Sequence, residues 1–393
     1  MRMFLKSLKI FLIVFLVLSV ASFLFIQFHI FKPEYPKSLR PPVPPLKFLC
    51  NYEEGLNYSK YESAPSDWTP NNKFGLYVYA EDKTFFDLAR KLVNSNGGHW
   101  GYVLIPFNVD DSDYDKWQRV FDQLNKDELI PVIQLSNLDI TKYQRQTKSA
   151  ATFLNQFIWP IKYRYISVYN EPNAANFWFG HVAPDEYAKV LDYTIDTFKN
   201  ASPNFFMMNA GFNTSAPNDV DHMDAFDYMK KMNETVPGIF DKLDGWASHS
   251  YPQPNFSGNP FNTGRWSIKA YDTELDFLKQ VLKVKKVLPV FITETGWAHA
   301  EGDVYLSSFL PDSTVGDYFK TAYEKIWLPD ERVRAVMPFT ILYPNPYDHF
   351  SWVNKDKVPY AHYNVVKDMH KIAGQPPTLN QTKLMLNVCN VQN

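Results

Sequence analysis

The sequence lacks the features of a nucleic-acid-binding protein or a metalloprotein. Lys and Arg number 40 against 42 Asp and Glu, so the formal net charge at pH 7 is −2 and no basic excess attracts nucleic acid. The 9 His are scattered, and no cluster of His, Asp or Glu has the spacing of metal ligands. We therefore expect no nucleic-acid partner, no metal and no cofactor.

Cysteine is scarce, with 2 residues in 393. Cys50 follows a proline-rich segment, and Cys389 lies near the end of the chain. An oxidising compartment would permit a bridge between them, which would tie the end of that proline-rich segment to the C-terminal tail. Two unpaired thiols are the alternative.

Charge is absent from residues 10–31, where only His29 is ionisable. A helix over this stretch would span roughly 33 Å, enough to cross a bilayer core of about 30 Å. Three cations precede it: Arg2, Lys6 and Lys9. They favour an N-terminus inside and the bulk of the chain outside, so residues 1–32 are interpreted as an uncleaved membrane anchor. A signal peptide cleaved after Ser19-Val-Ala21 is the alternative, and it would also export the chain, as a secreted protein.

Proline is concentrated in residues 33–46, which hold six of the 28 prolines. Such a segment forms neither helix nor sheet and is expected to be an extended spacer, so residues 33–66 are interpreted as a stalk and lead-in. Sequons of the form Asn-x-Ser/Thr fit an exported, glycosylated chain and fit chance in an Asn-rich sequence equally well. They begin at Asn57, Asn200, Asn213, Asn233, Asn255 and Asn380.

Short apolar runs alternate with segments of helical periodicity from residue 70 onward. Runs typical of buried strands cover residues 74–79, 102–107, 129–135, 163–169, 205–210, 243–251, 288–293 and 333–342. Eight alternations over about 300 residues favour a (β/α)8 TIM barrel over an open sheet. The predicted fold is α/β, with one catalytic barrel over residues 67–374, a tail over residues 375–393 and no second domain.

Two of these runs deliver a glutamate at their ends. The fourth run leads into Asn170, Glu171 and Pro172, and the seventh leads into Glu294. The C-terminal ends of the strands surround the active site of a β/α barrel, so the two carboxylates are predicted to meet there. A pair of carboxylates flanking the bond is what hydrolysis of a glycosidic linkage requires.

Three motifs resemble those of clan A glycoside hydrolases. The segment Asn170-Glu-Pro-Asn-Ala-Ala-Asn-Phe-Trp178 resembles the fourth-strand signature of families 5 and 39, and Thr293-Glu-Thr-Gly-Trp297 is similar to the nucleophile strand of family 17. His249-Ser-Tyr251 is similar to the His-x-Tyr at the end of strand six in many members. The resemblance covers residues 70–370 and implies a retaining glycosidase. It departs from several clan families in the second run, which has no arginine near its end.

The resemblance also implies a role for each motif residue. Glu294 is the nucleophile, and Glu171 is the acid and base. Asn170 binds the sugar hydroxyl next to the reacting carbon, and it shares a site with Glu171 only if the strand pleat breaks there. Tyr251 donates a hydrogen bond to Glu294. His249 lies nearby, either as part of the site or as a barrel-top histidine without catalytic duty.

Aromatic residues make up 17% of the chain, and aromatic faces are platforms for sugar rings. Those predicted to stack on a substrate follow the fourth, seventh and eighth runs: Trp178, Trp297, Tyr343 and Trp352. Trp352 is the preferred support for the sugar being cleaved, and Tyr343 is its rival. Residues at other strand ends are predicted to bind hydroxyls or to act only as turn formers: Tyr79, Asn108, Gln134 and Asn209.

The sequence therefore predicts an exported, membrane-anchored retaining glycoside hydrolase acting on a β-linked oligo- or polysaccharide. A catalytically inactive barrel that binds cell-surface carbohydrate is one alternative, although such a protein would not need both carboxylates. A transglycosylase with the same residues is another. The sugar, the linkage, internal or terminal cleavage and the oligomeric state are left open.

Overall fold

The computed structural model describes residues 69–79 and 81–377. The predicted anchor, the stalk, both cysteines and most of the predicted tail lie outside the described residues, as do the sequons at Asn57 and Asn380. Within the described ranges, no helix combines the length and the apolar character needed to cross a membrane.

Strands and helices alternate eight times in the described part of the chain. The strands are β1 Gly75–Tyr77, β2 Gly101–Asn108, β3 Leu129–Ser136, β4 Arg164–Ser167, β5 Phe205–Met208, β6 Trp246–His249, β7 Val290–Glu294 and β8 Val333–Val336. The α-helices are α1 Lys83–Val93, α2 Tyr114–Lys126, α3 Tyr143–Leu154, α4 Pro184–Ala201, α5 Ala225–Thr235, α6 Ala270–Gln280, α7 Asp312–Ala322 and α8 Ala361–Asp368. Short 3-10 turns occupy Ile140–Lys142, Ala175–Phe177, Ile239–Lys242 and Asp348–Phe350, and a π-helical turn, Tyr323–Trp327, extends α7.

The strands form a closed barrel. Strands β1 to β5 pair in parallel in sequence order, and so do β6 to β8. A parallel bridge between Phe74 and Val336 joins β8 to β1, and one between Met208 and Gly245 joins β5 to β6. The predicted α/β barrel of eight parallel strands is confirmed.

The side chain of Asn209 strengthens the seam between β5 and β6, which one backbone bridge joins. Its Nδ2 donates to the carbonyl oxygens of Ala210 at 2.6 Å and Ala247 at 3.0 Å, and its Oδ1 accepts from the Ala247 amide at 3.0 Å. These bonds replace part of the backbone ladder that a full pairing of β5 with β6 would provide. Asn209 is fully buried.

Large aromatic side chains fill the barrel interior. The rings of Tyr165 and Phe291 lie 4.9 Å apart between centroids, and Tyr165 also packs edge-on against Phe206 at 5.1 Å. Tyr102 and Leu104 complete this layer. Because these side chains close the barrel from below, the space for a ligand lies above them, at the C-terminal ends of the strands.

Local signals place the helices outside the barrel. The Asp82 carboxylate caps α1 by accepting from the Thr84 amide at 2.6 Å, and α4 begins at Pro184, whose fixed φ suits a first turn. The largest difference from prediction is β8, which ends at Val336 rather than at residue 342. The chain beyond Val336 therefore belongs to the rim of the barrel mouth.

Candidate active site

The ends of β4 and β7 bring two buried glutamates together. Glu171 is 9% exposed and Glu294 is 8% exposed, and both line a cavity of about 520 Å³ at the barrel mouth. One oxygen of each carboxylate and the Nδ1 atom of His249 all lie within 4.8 Å of one another. The structure thus brings together the two predicted carboxylates, with a histidine beside both.

A break in the fourth strand aims Glu171 into the cavity. Strand β4 ends at Ser167, and the backbone then places Tyr169 at φ 73° and Glu171 at φ 34°, in the left-handed region that such residues rarely adopt. The Glu171 amide donates to the Gly211 carbonyl at 3.2 Å, which holds this turn against the loop after β5. Asn170 lines the same cavity. Strained backbone of this kind is concentrated at functional sites.

A change of register aims Glu294 into the same cavity. Ser248 of β6 pairs with Ile292 of β7, but the next residue, His249, pairs with Glu294, so Thr293 is passed over. Side chains alternate along a strand, and Phe291 points into the barrel. Without the shift, the next side chain after Phe291 to point into the barrel would be that of Thr293 and not that of Glu294. The irregularity therefore re-aims the carboxylate, as bulges beside active sites do.

His249 bridges the two glutamates. Its Nδ1 lies 2.9 Å from Glu171 Oε1 and 3.7 Å from Glu294 Oε2, and its side chain is fully buried. Burial disfavours the imidazolium, but the charge of Glu294 and the hydrogen bond to Glu171 outweigh it and raise the pKa of His249. Gly211 is required beside it, because a Cβ at that position would overlap the imidazole ring.

Tyr251 donates to Glu294. Its hydroxyl lies 3.1 Å from Glu294 Oε2. Burial, with the Glu294 charge next in size, raises the pKa of Tyr251 well above its usual value, so the phenol keeps its proton and remains a donor. Burial also raises the pKa of Glu294 to about 7; the nearby Glu171 adds to this, while His249 and the Tyr251 hydrogen bond act against it.

A chain of hydrogen bonds fixes the Asn170 amide. Tyr77 donates to Gln134 Oε1 at 3.2 Å, and Gln134 Nε2 donates to Asn170 Oδ1 at 3.1 Å. With its oxygen occupied in this way, Asn170 has its amide nitrogen left to donate into the cavity. Burial and the Glu294 charge raise the pKa of Tyr77 well above its usual value.

Several clan families have an arginine near the end of the second strand, and no described lysine or arginine takes its place in this cavity. Among the described residues that line it, none is Lys or Arg. Contacts with the nucleophile candidate instead come from His249 and Tyr251. The three groups Glu171, His249 and Glu294 also have the donor types and spacing of a cation site. The sequence predicted that these three residues lie near one another, but not that they form a cation site, because ligands from three different strands show no spacing motif.

Four predicted substrate contacts are corrected by the structure. Trp178, Trp297 and Trp352 are each 1% exposed and lie in the core, not in the cavity. Trp178 donates to Glu186 Oε1 at 2.7 Å and Trp297 donates to the Gly258 carbonyl at 2.8 Å, while Trp352 packs against Phe319 with ring centroids 4.8 Å apart. Asn209 is fully buried, uses its amide to join β5 to β6 and does not line the cavity.

Of the other predicted contacts, Tyr343 and Gln134 line the cavity that holds Glu171 and Glu294. Tyr79 lies at the rim, 43% exposed, and its ring is 4.5 Å from that of Tyr343. Asn108 is exposed, and its oxygen accepts from the Asp110 amide at 3.0 Å, which is the contact of a turn former.

Sequence reasoning missed most of the aromatic lining. Beside Tyr77, Tyr251 and Tyr343, the cavity is lined by Phe177, Phe256, Phe339, Tyr347 and Phe350. Phe339 is the first aromatic residue after β8 and packs against Tyr77 with ring centroids 5.1 Å apart. If the eighth strand had been predicted to end at its true boundary, Phe339 would have been identified as a residue of the barrel mouth. Polar groups that were also missed come from the loops after β4, β5 and β6, namely Asn176, Asn213, His222 and Gln253.

Comparisons with known proteins found similar solved structures only. Neither protein-family models nor curated proteins give a match. A glucosidase from Croceicoccus marinus is similar in structure, with a TM-score of 0.54 and 11% identity over 78% of this chain and 70% of that one. A β-glucanase from Saccharophagus degradans in complex with cellotetraose gives 0.46 and 13%, over 75% of this chain and 86% of its own.

A β-glucuronidase from Ruminococcus gnavus in complex with D-glucuronic acid gives a TM-score of 0.46 and 12% identity, over 76% of this chain. The match covers 49% of that protein, so this chain spans about half its length. The match to the Croceicoccus enzyme shows the fold. That fold is the β/α barrel that the resemblance to clan A glycoside hydrolases implied.

Proposed function

We propose that this chain is a retaining glycoside hydrolase that cleaves a β-linked saccharide by double displacement. The observation that carries the proposal is the short approach of Glu171 and Glu294, whose nearest oxygens lie within 4.8 Å. Retaining enzymes place the two carboxyl groups about 5 to 5.5 Å apart, whereas inverting enzymes leave about 6.5 to 9.5 Å for a water molecule. An approach this short supports retention over inversion.

In the first step Glu294 attacks the anomeric carbon and forms a bond from its carboxylate oxygen. The bond to the leaving oxygen breaks as Glu171 transfers its proton to that oxygen. In the second step the Glu171 carboxylate takes a proton from water. The resulting hydroxide displaces Glu294, and the sugar is released with its configuration retained.

The neighbours of Glu294 suit it to the first role. The attack requires its ionised form, and the Tyr251 hydrogen bond and the His249 charge both favour that form. The Tyr251 hydroxyl lies 3.1 Å from Glu294 Oε2, whereas His249 Nδ1 is closer to Glu171, at 2.9 Å from its Oε1. The two glutamates therefore have different surroundings. Different surroundings allow one carboxyl group to act as nucleophile and the other to carry a proton.

The Asn170 amide suits recognition of the sugar beside the reacting carbon. Its nitrogen can donate to the hydroxyl at position 2, a contact that strengthens in the transition state. Gln134 and Tyr77 hold this amide in one orientation, since its oxygen accepts from Gln134. Binding of the hydroxyl therefore requires little reorganisation of the amide.

We propose a neutral sugar at the position that is cleaved. Two carboxylates face the cavity, and no described lining residue is Lys or Arg, so a uronic acid would meet like charges without a cation to bind it. The aromatic lining instead fits the apolar faces of neutral pyranose rings. An aryl β-glucuronide hydrolysed faster than every neutral aryl β-glycoside would contradict this substrate class.

We also propose that residues 10–31 hold the barrel at a membrane, with the barrel on the exported side. This rests on the sequence alone, because the segment lies outside the described residues. Expression of the full chain should give a protein that stays with membranes in alkaline carbonate and is released by detergent. Recovery of the barrel without residues 1–21 in the soluble fraction would show a cleaved signal peptide instead.

The reaction is tested with activated aryl β-glycosides of glucose, galactose, mannose, xylose and N-acetylglucosamine. We expect hydrolysis of at least one, with the β-anomer as the first product in proton NMR spectra. An initial α-anomer would indicate inversion and overturn the double displacement. Transfer to an added acceptor sugar in preference to water would indicate a transglycosylase, and no turnover of any probe would favour a binding protein.

A further inference from the structure

Glu171, His249 and Glu294 have the donor atoms of a metal site. His249 Nδ1 lies 2.9 Å from Glu171 Oε1 and 3.7 Å from Glu294 Oε2, and these donor groups all lie within 4.8 Å of one another. A tetrahedral Zn²⁺ site has metal-ligand distances of about 2.0 to 2.2 Å, which places neighbouring ligand atoms roughly 3.4 Å apart. The two distances to the histidine lie on either side of this value, so small side-chain rotations would let one zinc ion contact all three groups.

The three donor groups are held in place before an ion binds. The His249 side chain is fully buried, and those of Glu171 and Glu294 are 12% and 11% exposed. The Glu171 amide is bonded to the Gly211 carbonyl at 3.2 Å, and Glu294 lies within β7. All three side chains line the cavity at the barrel mouth, through which an ion can enter.

The charge of the cluster favours a cation. When both carboxylates are ionised, their charge exceeds that of even a protonated His249. No described residue that lines the cavity is Lys or Arg. Because buried charges in proteins are paired or coordinate metals, the cluster is suited to a divalent cation.

The mixture of nitrogen and oxygen donors selects zinc over the common hard cations. Mg²⁺ and Ca²⁺ prefer sites made of oxygen ligands, whereas an imidazole suits Zn²⁺. The Tyr251 hydroxyl donates to Glu294 Oε2 at 3.1 Å, and hydrogen bonds of this kind orient ligating carboxylates.

The second nitrogen of His249 indicates that such a site is not a permanent one. A ligating histidine almost always donates from its other ring nitrogen to a partner that fixes it. His249 Nε2 is buried and has no hydrogen-bond partner among the described residues. The missing partner weakens the site, which suits an ion that binds reversibly.

We propose that Zn²⁺ binds reversibly to Glu171, His249 and Glu294 and inhibits the glycosidase. The inhibition, but not the binding, rests on the proposed function. A bound ion takes the Glu294 lone pair that would attack the sugar and the Glu171 oxygen that would carry the proton. Zinc and substrate therefore exclude each other. The ion has no role in the reaction itself, for which the sequence predicts no metal.

Binding is tested by calorimetry with ZnCl₂ on the full-length protein, with MgCl₂ as the control metal. Glu171→Gln, His249→Gln and Glu294→Gln each remove one ligand and keep a polar side chain. Loss of an outer partner of a metal site costs about 10- to 100-fold in affinity, so each of these variants should lose at least about 100-fold. His181→Gln removes a histidine 3.3 Å from Glu186, outside the cavity, and should leave the zinc Kd unchanged.

Inhibition is tested on the natural chain with whichever aryl β-glycoside it hydrolyses. Zinc at about ten times its Kd should raise KM about tenfold and leave kcat unchanged, because the ion competes with the substrate for the free enzyme. EDTA should restore the original KM, and the same concentration of magnesium should not change it. His181→Gln should be inhibited to the same extent as the natural chain.

The outcomes separate the zinc site from the proposed function. Equal zinc affinity in the natural chain and in all three ligand variants overturns the site. Hydrolysis that zinc does not inhibit, or that it inhibits by lowering kcat alone, overturns the inhibition and leaves the glycosidase intact. If no glycoside is cleaved, the proposed function fails, and the calorimetric comparison still decides the zinc site. Circular dichroism checks that each variant folds, and the kinetics of the natural chain test the proposal without any variant.

Discussion

Glu294 lies opposite His249 because the pairing of β6 with β7 shifts by one residue just before it. The shift gives both side chains the same direction, into the barrel mouth, and places His249 Nδ1 3.7 Å from Glu294 and 2.9 Å from Glu171. A single irregularity in the sheet thus assembles the two carboxylates and the histidine that lies between them.

Replacement of the proposed acid should depend on the leaving group. Glu171→Ala is expected to lower kcat/KM by about 10²- to 10⁴-fold on an alkyl glycoside, because an alkoxide must be protonated as it leaves. On a dinitrophenyl glycoside, whose leaving group needs no proton, the loss in kcat/KM should be far smaller. Equal losses on both substrates would remove Glu171 as the acid.

The pH dependence of kcat/KM should follow the charges around Glu294. Because the ionised form attacks and the pKa of Glu294 is raised to about 7, activity on a dinitrophenyl glycoside should rise as the pH increases through this region. His249→Gln removes a charge that lowers this pKa, so the rise should move to higher pH. Glu171→Gln removes a charge that raises it, so the rise should move to lower pH.

Each of these displacements should be about one pH unit, as expected for a charge a few ångströms away. His370→Gln, at an exposed histidine outside the cavity, is the control and should leave the rise in place. A shift of the rise in kcat/KM to the same side in both His249→Gln and Glu171→Gln would be inconsistent with the assigned charges.

Removal of the Asn209 side chain should weaken the barrel and not the chemistry. Asn209→Ala leaves the amide and carbonyl of Ala247 without their partners, so the free energy of unfolding should fall by about 3 kcal/mol. Asn364→Ala, at an exposed asparagine on α8, should change it by less than about 0.5 kcal/mol. Urea unfolding curves of both variants check this, and equal stability would show that the seam between β5 and β6 does not depend on Asn209.

A buried carboxyl group behind the site should make stability fall with pH. Glu274 on α6 is fully buried and accepts from the Trp246 indole at 3.0 Å, and burial raises its pKa from 4.5 to about 7. The folded state holds this proton more tightly than the unfolded state. Its contribution to stability is therefore complete below about pH 4.5 and is lost as the pH rises to about 7.

Glu274→Gln keeps an acceptor for Trp246 and removes the ionisation. The difference in free energy of unfolding, variant minus natural chain, should increase between pH 4.5 and 7. Above pH 7 this difference should stay larger than at pH 4.5 by roughly 3 kcal/mol. Chemical unfolding at pH 5 and pH 8 measures the difference. A difference that does not change with pH would mean that Glu274 ionises in the folded protein as it does in the unfolded chain.

The order of the elements could be predicted from the sequence because it depends on local patterns. Buried parallel strands appear as continuous apolar runs, and each of the eight runs contains most or all of one strand. The ends of the runs were less well determined. The eighth run continued to residue 342 because the rim residues Phe339 and Ile341 are apolar too, and this displaced the predicted strand tip and hid Phe339.

The sequence located the two carboxylates of the cavity but not its aromatic residues, and the reason is physical. A glutamate is rarely buried unless it is paired, so a glutamate at the end of an apolar strand is informative. A tryptophan after a strand is equally suited to the core, and Trp178, Trp297 and Trp352 are buried there. The register shift at Thr293 and the contact of Gly211 with His249 depend on distant chain segments, so no local pattern predicts them.

The most direct test of the central claim is to trap the covalent intermediate. Activated 2-deoxy-2-fluoro β-glycosides slow both steps, and a leaving group such as fluoride keeps the first fast enough for the glycosyl-enzyme to accumulate. Peptide mass spectrometry after proteolysis should find the fluoro-sugar on Glu294. A sugar attached to Glu171, or hydrolysis of the parent glycoside with no label on either glutamate, would contradict the account.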